Sequence, residues 1–267
     1  MIHDSRLWNL YLAPDTDRIE VMAYCPIGDH SLLSATVPLS SATTTTVGAF
    51  EEAVYDNPLL LNDFNRVSII SRSDMFTVMP TGLVADKDMV ADVVREMTGA
   101  HGGTLVVDDL PLLEASVCHL IDTELYNFIN RTFSQARFIH RLSGLTRYYH
   151  GVHRGAGSMT SHVNLRHDSL DIVLYQSDRL LLANTYRWVE PADVLYYIMA
   201  TRSAMGIDRE APVVLSGNRQ VRDELTPLLR EYLPTVMPAI FPAAMFRAGG
   251  ATAMNVPTDL IVLPLCE

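Results

Sequence analysis

Two segments of the chain show the same order of three short strands followed by a helix and a further strand. The first set of strands is predicted over Arg6–Pro38 and the second over Thr160–Trp188. Both sets consist of alternating or β-branched apolar residues bounded by turn residues, the pattern expected of strands. The repetition within 267 residues therefore predicts a duplicated α/β fold, with two β-β-β-α-β halves around a cleft.

The first half begins with a hairpin whose turn, Ala13–Asp17, is rich in Pro and Asp. A third strand over Leu32–Leu39 is followed by a helix over Val47–Asp56, which ends before Asn57-Pro58 because proline disfavours helix at the preceding residue. The buried strand Val67–Ile70 completes the repeat. The strands and helix predicted after it are not required by the repeat, so we predict an inserted subdomain over about 72–122.

The second half follows a linker, Gly151–Gly157, that contains three glycines. Pro191 opens its first helix, because proline is favoured at the first helical position. Four apolar side chains of this helix are predicted to face the sheet: Val194, Leu195, Ile198 and Met199. The segment after Pro234 has no assignable pattern. The predicted halves are residues 1–156 and 157–267.

Composition narrows the class of protein. Hydrophobic residues make up 48% of the chain, enough for a core, yet no apolar run reaches the roughly 20 residues of a membrane helix. Neither a signal peptide nor a disulfide framework is visible, since the three cysteines are scattered. We therefore expect a cytoplasmic protein without a membrane span.

The net charge argues against nucleic-acid binding, and the lysine content argues against a P-loop. The net charge of −11 repels a phosphate backbone, so nucleic acid is not expected as a partner. Lys87 is the single lysine of the chain and lies in Asp86-Lys-Asp. A P-loop, which requires Gly-Lys-Ser/Thr, is therefore absent from the sequence.

The chain resembles the DUF3822 family of uncharacterised proteins, found mainly in Bacteroidetes. The stretches that carry the resemblance are Phe76–Pro80, Ala183–Trp188, Glu190–Ile198 and Val214–Gly217. The resemblance implies an actin-like ATPase fold, in which both halves are ribonuclease-H-like, similar in outline to pilus-assembly and cell-division proteins. It implies no biochemical activity, because a fold is not a function.

The phosphate-binding turns of actin-like ATPases are degenerate in this chain. Such proteins use an Asp-x-Gly turn in the first hairpin of each half, where glycine allows backbone N–H groups to approach phosphate. Here the first turn offers Asp15 and the second Asp168, neither with glycine, and Gly217 is half of the glycine pair expected near adenosine. We expect no cofactor and no catalytic residue. ATP with Mg²⁺ is expected only under the alternative of a divergent ATPase or kinase.

Histidines and arginines provide two further candidate sites. His150 and His153 are three residues apart, but Gly151 lies between them and no carboxylate is near, so we expect no metal site. The stretch Leu125–His167 contains six arginines and no acidic residue. Arg147 and Arg154, which flank the linker, are the candidates for a surface that binds an anion or a protein.

Two interpretations of these arginines remain open: they form a binding surface, or acidic residues from elsewhere in the fold pair with them. The sequence favours a non-catalytic scaffold that binds a protein partner. The alternative is a nucleotide-binding ATPase or kinase that uses the cleft between the halves.

Overall fold

The computed structural model describes residues 4–27, 31–40, 43, 45–153 and 159–266. The strands are β1 Asn9–Pro14, β2 Arg18–Tyr24, β3 Leu32–Pro38, β4 Arg66–Ser71, β5 Phe76–Pro80, β6 Thr104–Leu110, β7 Ala115–Ile121, β8 Arg137–His140, β9 Met159–Leu165, β10 Ser169–Gln176, β11 Arg179–Arg187, β12 Val213–Gly217 and β13 Val236–Pro238. The α-helices are α1 Thr46–Tyr55, α2 Lys87–Thr98, α3 Thr123–Thr132, α4 Arg141–His153, α5 Pro191–Ala204, α6 Arg219–Tyr232, α7 Ala243–Ala253 and α8 Thr258–Ile261.

Two five-stranded sheets share one topology. The first has the order β3-β2-β1-β4-β8 and the second β11-β10-β9-β12-β13. In each sheet the three hairpin-connected strands are antiparallel, and the two later strands are parallel to the first. The duplicated α/β fold predicted from the repeated strand pattern is therefore confirmed.

A third sheet, with the order β5-β7-β6, lies in the chain between β4 and α3. Helix α2 packs against it through Val90 and Val94, which contact the cluster of Cys118 and Leu120. These elements occupy the region 72–122 for which the sequence predicts an insertion. The predicted boundary at residue 156 lies outside the described residues.

The central core lies between the two five-stranded sheets. Tyr11 and Met22 of the first sheet share one buried cluster with Val173 and Tyr175 of the second. Helix α4 and the segment after Pro234, which forms α7 and α8, also contribute buried side chains to this cluster. Each sheet has a separate apolar core on its other face. None of the helices described is both long and apolar enough to cross a membrane.

Helix α5 faces the sheet with a different set of residues than predicted. Val194 and Ile198 are fully buried, but Leu195 is only half-buried and Met199 is 39% exposed. The buried face continues to Thr201 and Arg202, as the period of 3.6 residues requires from Val194 onward. The prediction was therefore wrong for Met199. The buried face of the helix includes the polar Arg202, and Met199 lies outside that face. The Arg202 guanidinium donates to three carbonyl groups of the loop after α5: those of Asp208, Arg209 and Ala211.

Candidate functional site

A cleft of about 860 Å³ opens where the turns of the two equivalent hairpins face each other. The β1–β2 turn contributes Asp15 to its lining, the β9–β10 turn contributes Asp168, and Gly217 lies at the end of β12. All three residues that the sequence singled out as remnants of a nucleotide site thus line one cavity.

Both hairpin turns close without glycine. In the first, the Asp15 N–H donates to the Arg18 carbonyl at 2.8 Å, and the Asp15 carboxylate accepts a hydrogen bond from the Thr16 N–H at 2.9 Å. In the second, the Arg166 N–H donates to the Ser169 carbonyl at 2.9 Å. Because these turn residues carry side chains, a phosphate cannot approach the backbone as closely as it would at glycine.

Four charged side chains form a network between the two turns. Arg72, just after β4, donates two hydrogen bonds to the Asp259 carboxylate, at 2.7 and 3.0 Å, and one to Asp15 at 3.0 Å. Arg166 donates to the same Asp15 oxygen at 3.0 Å and lies 3.5 Å from Asp259. We call Asp15, Arg72, Arg166 and Asp259 the cleft network.

The arginines of the cleft network keep both of its carboxylates ionised, although burial opposes their ionisation. Burial opposes ionisation of Asp259, but Arg72 and then Arg166 outweigh it and lower the pKa of Asp259 to about 2. Burial likewise opposes ionisation of Asp15, and the Thr16 N–H together with the neighbouring arginines still lowers its pKa. Both carboxylates are therefore ionised and paired with arginine in the structure.

Asp168 belongs to a second set of ion pairs. It pairs with Arg187 at 3.1 Å, Arg187 donates to Asp74 at 2.8 Å, and Asp74 lies 3.4 Å from Arg141. Arg141 and its other partner, Asp171, are buried and 3.0 Å apart. Among the described residues, the aspartates of the two hairpin turns, Asp15 and Asp168, therefore share no ion-pair partner.

Gly217 has a structural reason to be glycine. Its φ angle is +96°, and a Cβ atom there would lie 2.1 Å from the Leu165 carbonyl oxygen. Its N–H donates to the Thr258 hydroxyl at 3.1 Å. The next residue, Asn218, caps α6 by accepting a hydrogen bond from the Val221 N–H at 3.1 Å. The glycine thus lets β12 pass β9 closely and begins α6 at the edge of the cleft.

The segment after Pro234 supplies much of the remaining cleft wall, including Ile240, Phe241, Met254 and Asp259. Sequence reasoning missed this contribution. One signal was available, since Asp259 is the single acidic residue between Tyr232 and Cys266 and lies in an otherwise apolar stretch. A lone carboxylate in such a stretch indicates a buried partner of opposite charge.

The six arginines of Leu125–His167 have different environments. Two pair closely with acidic residues from elsewhere in the fold, Arg141 with Asp171 and Arg166 with Asp15, each at 3.0 Å. Exposed Arg131 has only a loose contact, 3.8 Å, with Glu51. Arg147 donates to the Asp109 carbonyl at 2.8 Å and is not part of the cleft lining. Arg154 lies outside the described residues. The six arginines therefore do not form one basic surface, and Arg141 and Arg166 are part of the architecture.

The described residues contain no group of three His, Cys, Asp or Glu side chains that could hold a metal ion. His140 is buried, and its Nδ1 accepts a hydrogen bond from the Leu142 N–H at 3.3 Å. Its Nε2 therefore carries the proton and donates to the Ser73 carbonyl at 2.9 Å. Burial lowers the pKa of His140, so this imidazole serves as a neutral core residue.

Comparison with known proteins identifies the fold. A family model described as a protein of unknown function, DUF3822, matches residues 2–236. A crystal structure from Bacteroides thetaiotaomicron, of a protein with an actin-like ATPase fold and unknown function, has a TM-score of 0.80 and 20% identity, covering 88% of this chain and 91% of that one. The PilM–PilN type IV pilus biogenesis complex has a TM-score of 0.56 and 13% identity, covering 97% of this chain and 99% of that one. No curated protein matches the chain. These likenesses show the actin-like ATPase fold.

Proposed function

The chain belongs to the DUF3822 family, whose function is unknown, and from this premise we propose that it is a non-catalytic actin-like protein that acts by binding a protein partner. One observation carries the proposal: the cleft network lies between the two hairpin turns, where phosphoryl-transfer chemistry would need free carboxylates and open backbone N–H groups.

The physical argument concerns Asp15 and Arg72. Catalysis of phosphoryl transfer consists almost entirely of positioning and charge stabilisation around phosphate and Mg²⁺. To take part, the Asp15 carboxylate would have to leave the guanidinium groups of Arg72 and Arg166, each 3.0 Å away. Arg72 would keep Asp259 as its partner, but its side chain is only 7% accessible, and the loss of one counter-charge from a buried guanidinium costs energy. ATP would have to supply that energy before any catalysis.

The partner in the proposal is a protein. The fold is shared with the PilM–PilN type IV pilus biogenesis complex. A chain with this architecture can therefore act through association. The net charge of −11 argues against nucleic acid as the partner.

Calorimetric titration with ATP and Mg²⁺, paired with an assay of phosphate release, tests the proposal. We expect no saturable heat and no phosphate release above buffer. The alternative is a divergent ATPase or kinase, which the open cleft and the α6 N-terminus beside Gly217 would serve. Saturable ATP binding together with phosphate release that Asp15→Ala abolishes would establish that alternative and reject ours.

A further inference from the structure

We propose that the cleft binds an extended peptide segment of the partner, in which an acidic side chain lies close to a large apolar one. The inference rests on the proposed function and adds the location and chemistry of partner binding. It follows from the charges and the apolar surface that remain once the ion pairs of the cleft are taken into account.

Five carboxylates and five arginines line the cleft. Each carboxylate has an arginine partner: Asp15 and Asp259 pair with Arg72 and Arg166, Asp17 and Glu20 with Arg18, and Asp168 with Arg187. Arg187 is not one of the five, so these pairs engage three of the lining arginines. The two that remain, Arg219 and Arg222, lie together in the first turn of α6.

The α6 wall of the cleft is therefore cationic. Arg222 makes no ion pair with any residue in the part of the chain that the structure describes. Arg219 is 80% exposed and has only a loose contact, 3.6 Å, with Asp223. The N-terminal end of a helix adds partial positive charge from its unpaired N–H groups. A carboxylate entering the cleft would meet these two guanidinium groups and could form charge-assisted hydrogen bonds with them.

Another part of the cleft lining is apolar and exposed. Ile240 is 90% exposed and Met254 51%, and half-buried Phe241 lies beside them in the lining. Large apolar side chains exposed together beside a cavity are typical of a binding surface. An aliphatic or aromatic side chain of a bound segment would shield them from water.

A peptide with both features fits these walls better than a nucleotide does. The triphosphate of ATP carries more negative charge than Arg219 and Arg222 can neutralise, so the rest of that charge would lie unpaired beside the five carboxylates of the cleft. A single carboxylate needs only Arg219 and Arg222, which are available. The volume of about 860 Å³ is within the range of cavities that enclose a ligand.

The test selects peptides from a random display library on the immobilised full chain, and remeasures synthetic, dye-labelled versions by fluorescence polarisation. Arg222→Gln removes charge from the α6 wall, and Ile240→Ser removes an exposed apolar group. Arg131→Gln and Leu112→Ser are matched controls, because Arg131 is 73% exposed, Leu112 is 73% exposed, and neither lines the cleft. Thermal melting verifies that all four variants are folded.

We expect the selected peptides to combine Asp or Glu with a nearby Phe, Leu, Trp or Met. Arg222→Gln and Ile240→Ser should each weaken binding about tenfold, and the control variants should leave it unchanged. The inference is overturned if no peptide is enriched, if the peptides lack this combination, or if cleft and control variants bind equally. ATP titration is independent of this result: silence toward both ATP and peptides rejects the inference and leaves the proposed function standing.

Discussion

Arg72 and Asp259 are separated by 187 positions in the sequence, yet they form a buried ion pair with two hydrogen bonds, at 2.7 and 3.0 Å. Arg72 follows the fourth strand of the first sheet, whereas Asp259 comes after the whole second sheet. The pair therefore joins the end of β4 to α8, and Arg72 also donates a hydrogen bond to Asp15 of the first hairpin turn.

Breaking this pair should be strongly destabilising. Asp259→Asn leaves the Arg72 guanidinium buried without its main counter-charge, and we expect the free energy of unfolding in urea to fall by about 3–5 kcal/mol. The exposed pair of Asp4 and Arg6 provides the control, since Asp4→Asn should leave the free energy of unfolding nearly unchanged. The double variant Arg72→Met/Asp259→Leu should lose less free energy of unfolding than the variants Arg72→Met and Asp259→Leu lose in total. A small effect of Asp259→Asn would contradict the burial described above.

Gly217→Ala should be more harmful than an average glycine substitution. The new Cβ would lie 2.1 Å from the Leu165 carbonyl oxygen, at a φ of +96°, so β12 or β9 would have to move. We expect a loss of more than about 3 kcal/mol, measured by chemical unfolding. Gly102→Ala is the matched control, because nothing lies within 4 Å of its added Cβ. Equal stabilities of the two variants would show that the strands are not held this closely.

Stability should fall as the pH is lowered from about 6.5 toward 4, in part because of His119. Burial lowers the pKa of His119 from 6.5 to about 4, so the unfolded chain takes up a proton in this range while the folded chain does not. The stability associated with the neutral imidazole is present above pH 6.5, and about 3 kcal/mol of it is lost by pH 4.

His119→Phe removes this titration, and unfolding measured at pH 7 and pH 5 provides the check. The variant should lose less stability between the two pH values than the natural chain does. Buried His140, whose ring lies 5.0 Å from that of His119, keeps some pH dependence in the variant. The same loss in both proteins would mean that His119 is protonated in the folded state.

Substitution by alanine should have a large effect on stability at one residue of α5 and a small effect at the next. Ile198 is fully buried and Met199 is 39% exposed. Ile198→Ala should lower the free energy of unfolding by about 2–5 kcal/mol, and Met199→Ala should change it by less than about 0.5 kcal/mol. The comparison uses the same helix and the same new residue, so helix propensity is held nearly constant. A larger loss of stability for Met199→Ala would mean that Met199 is buried against the sheet, as the sequence pattern predicted.

The succession of three strands, a helix and a further strand in each half could be predicted because its signals are local. The Pro14 turn, the glycines before Thr160 and the Glu190-Pro191 helix start are each contained in a few residues. The lack of glycine in both hairpin turns was also visible in the sequence, as was the position of Gly217 after a strand. These features predicted a cleft between the halves, and Asp15, Asp168 and Gly217 line one cavity in the structure.

The ion pairs of the cleft could not be predicted in the same way. Nothing within a few residues of Arg72 indicates that its partner is Asp259, because the two meet only after both sheets have formed. The six arginines of Leu125–His167 lack acidic neighbours in sequence, yet Arg141 and Arg166 have acidic neighbours in space. The lack of acidic neighbours in the sequence therefore predicted a larger unpaired basic surface than the structure has.

The position of Asp259 in the chain has a consequence for biosynthesis. A ribosome makes Arg72 and both hairpin turns well before it makes residue 259. Until then, Arg72 lacks the carboxylate that accepts two of its hydrogen bonds, and the apolar wall made by α7 and the loop before it does not yet exist. All strands of both sheets are synthesised before Asp259, but the cleft is completed only when the segment that contains Asp259 docks against them.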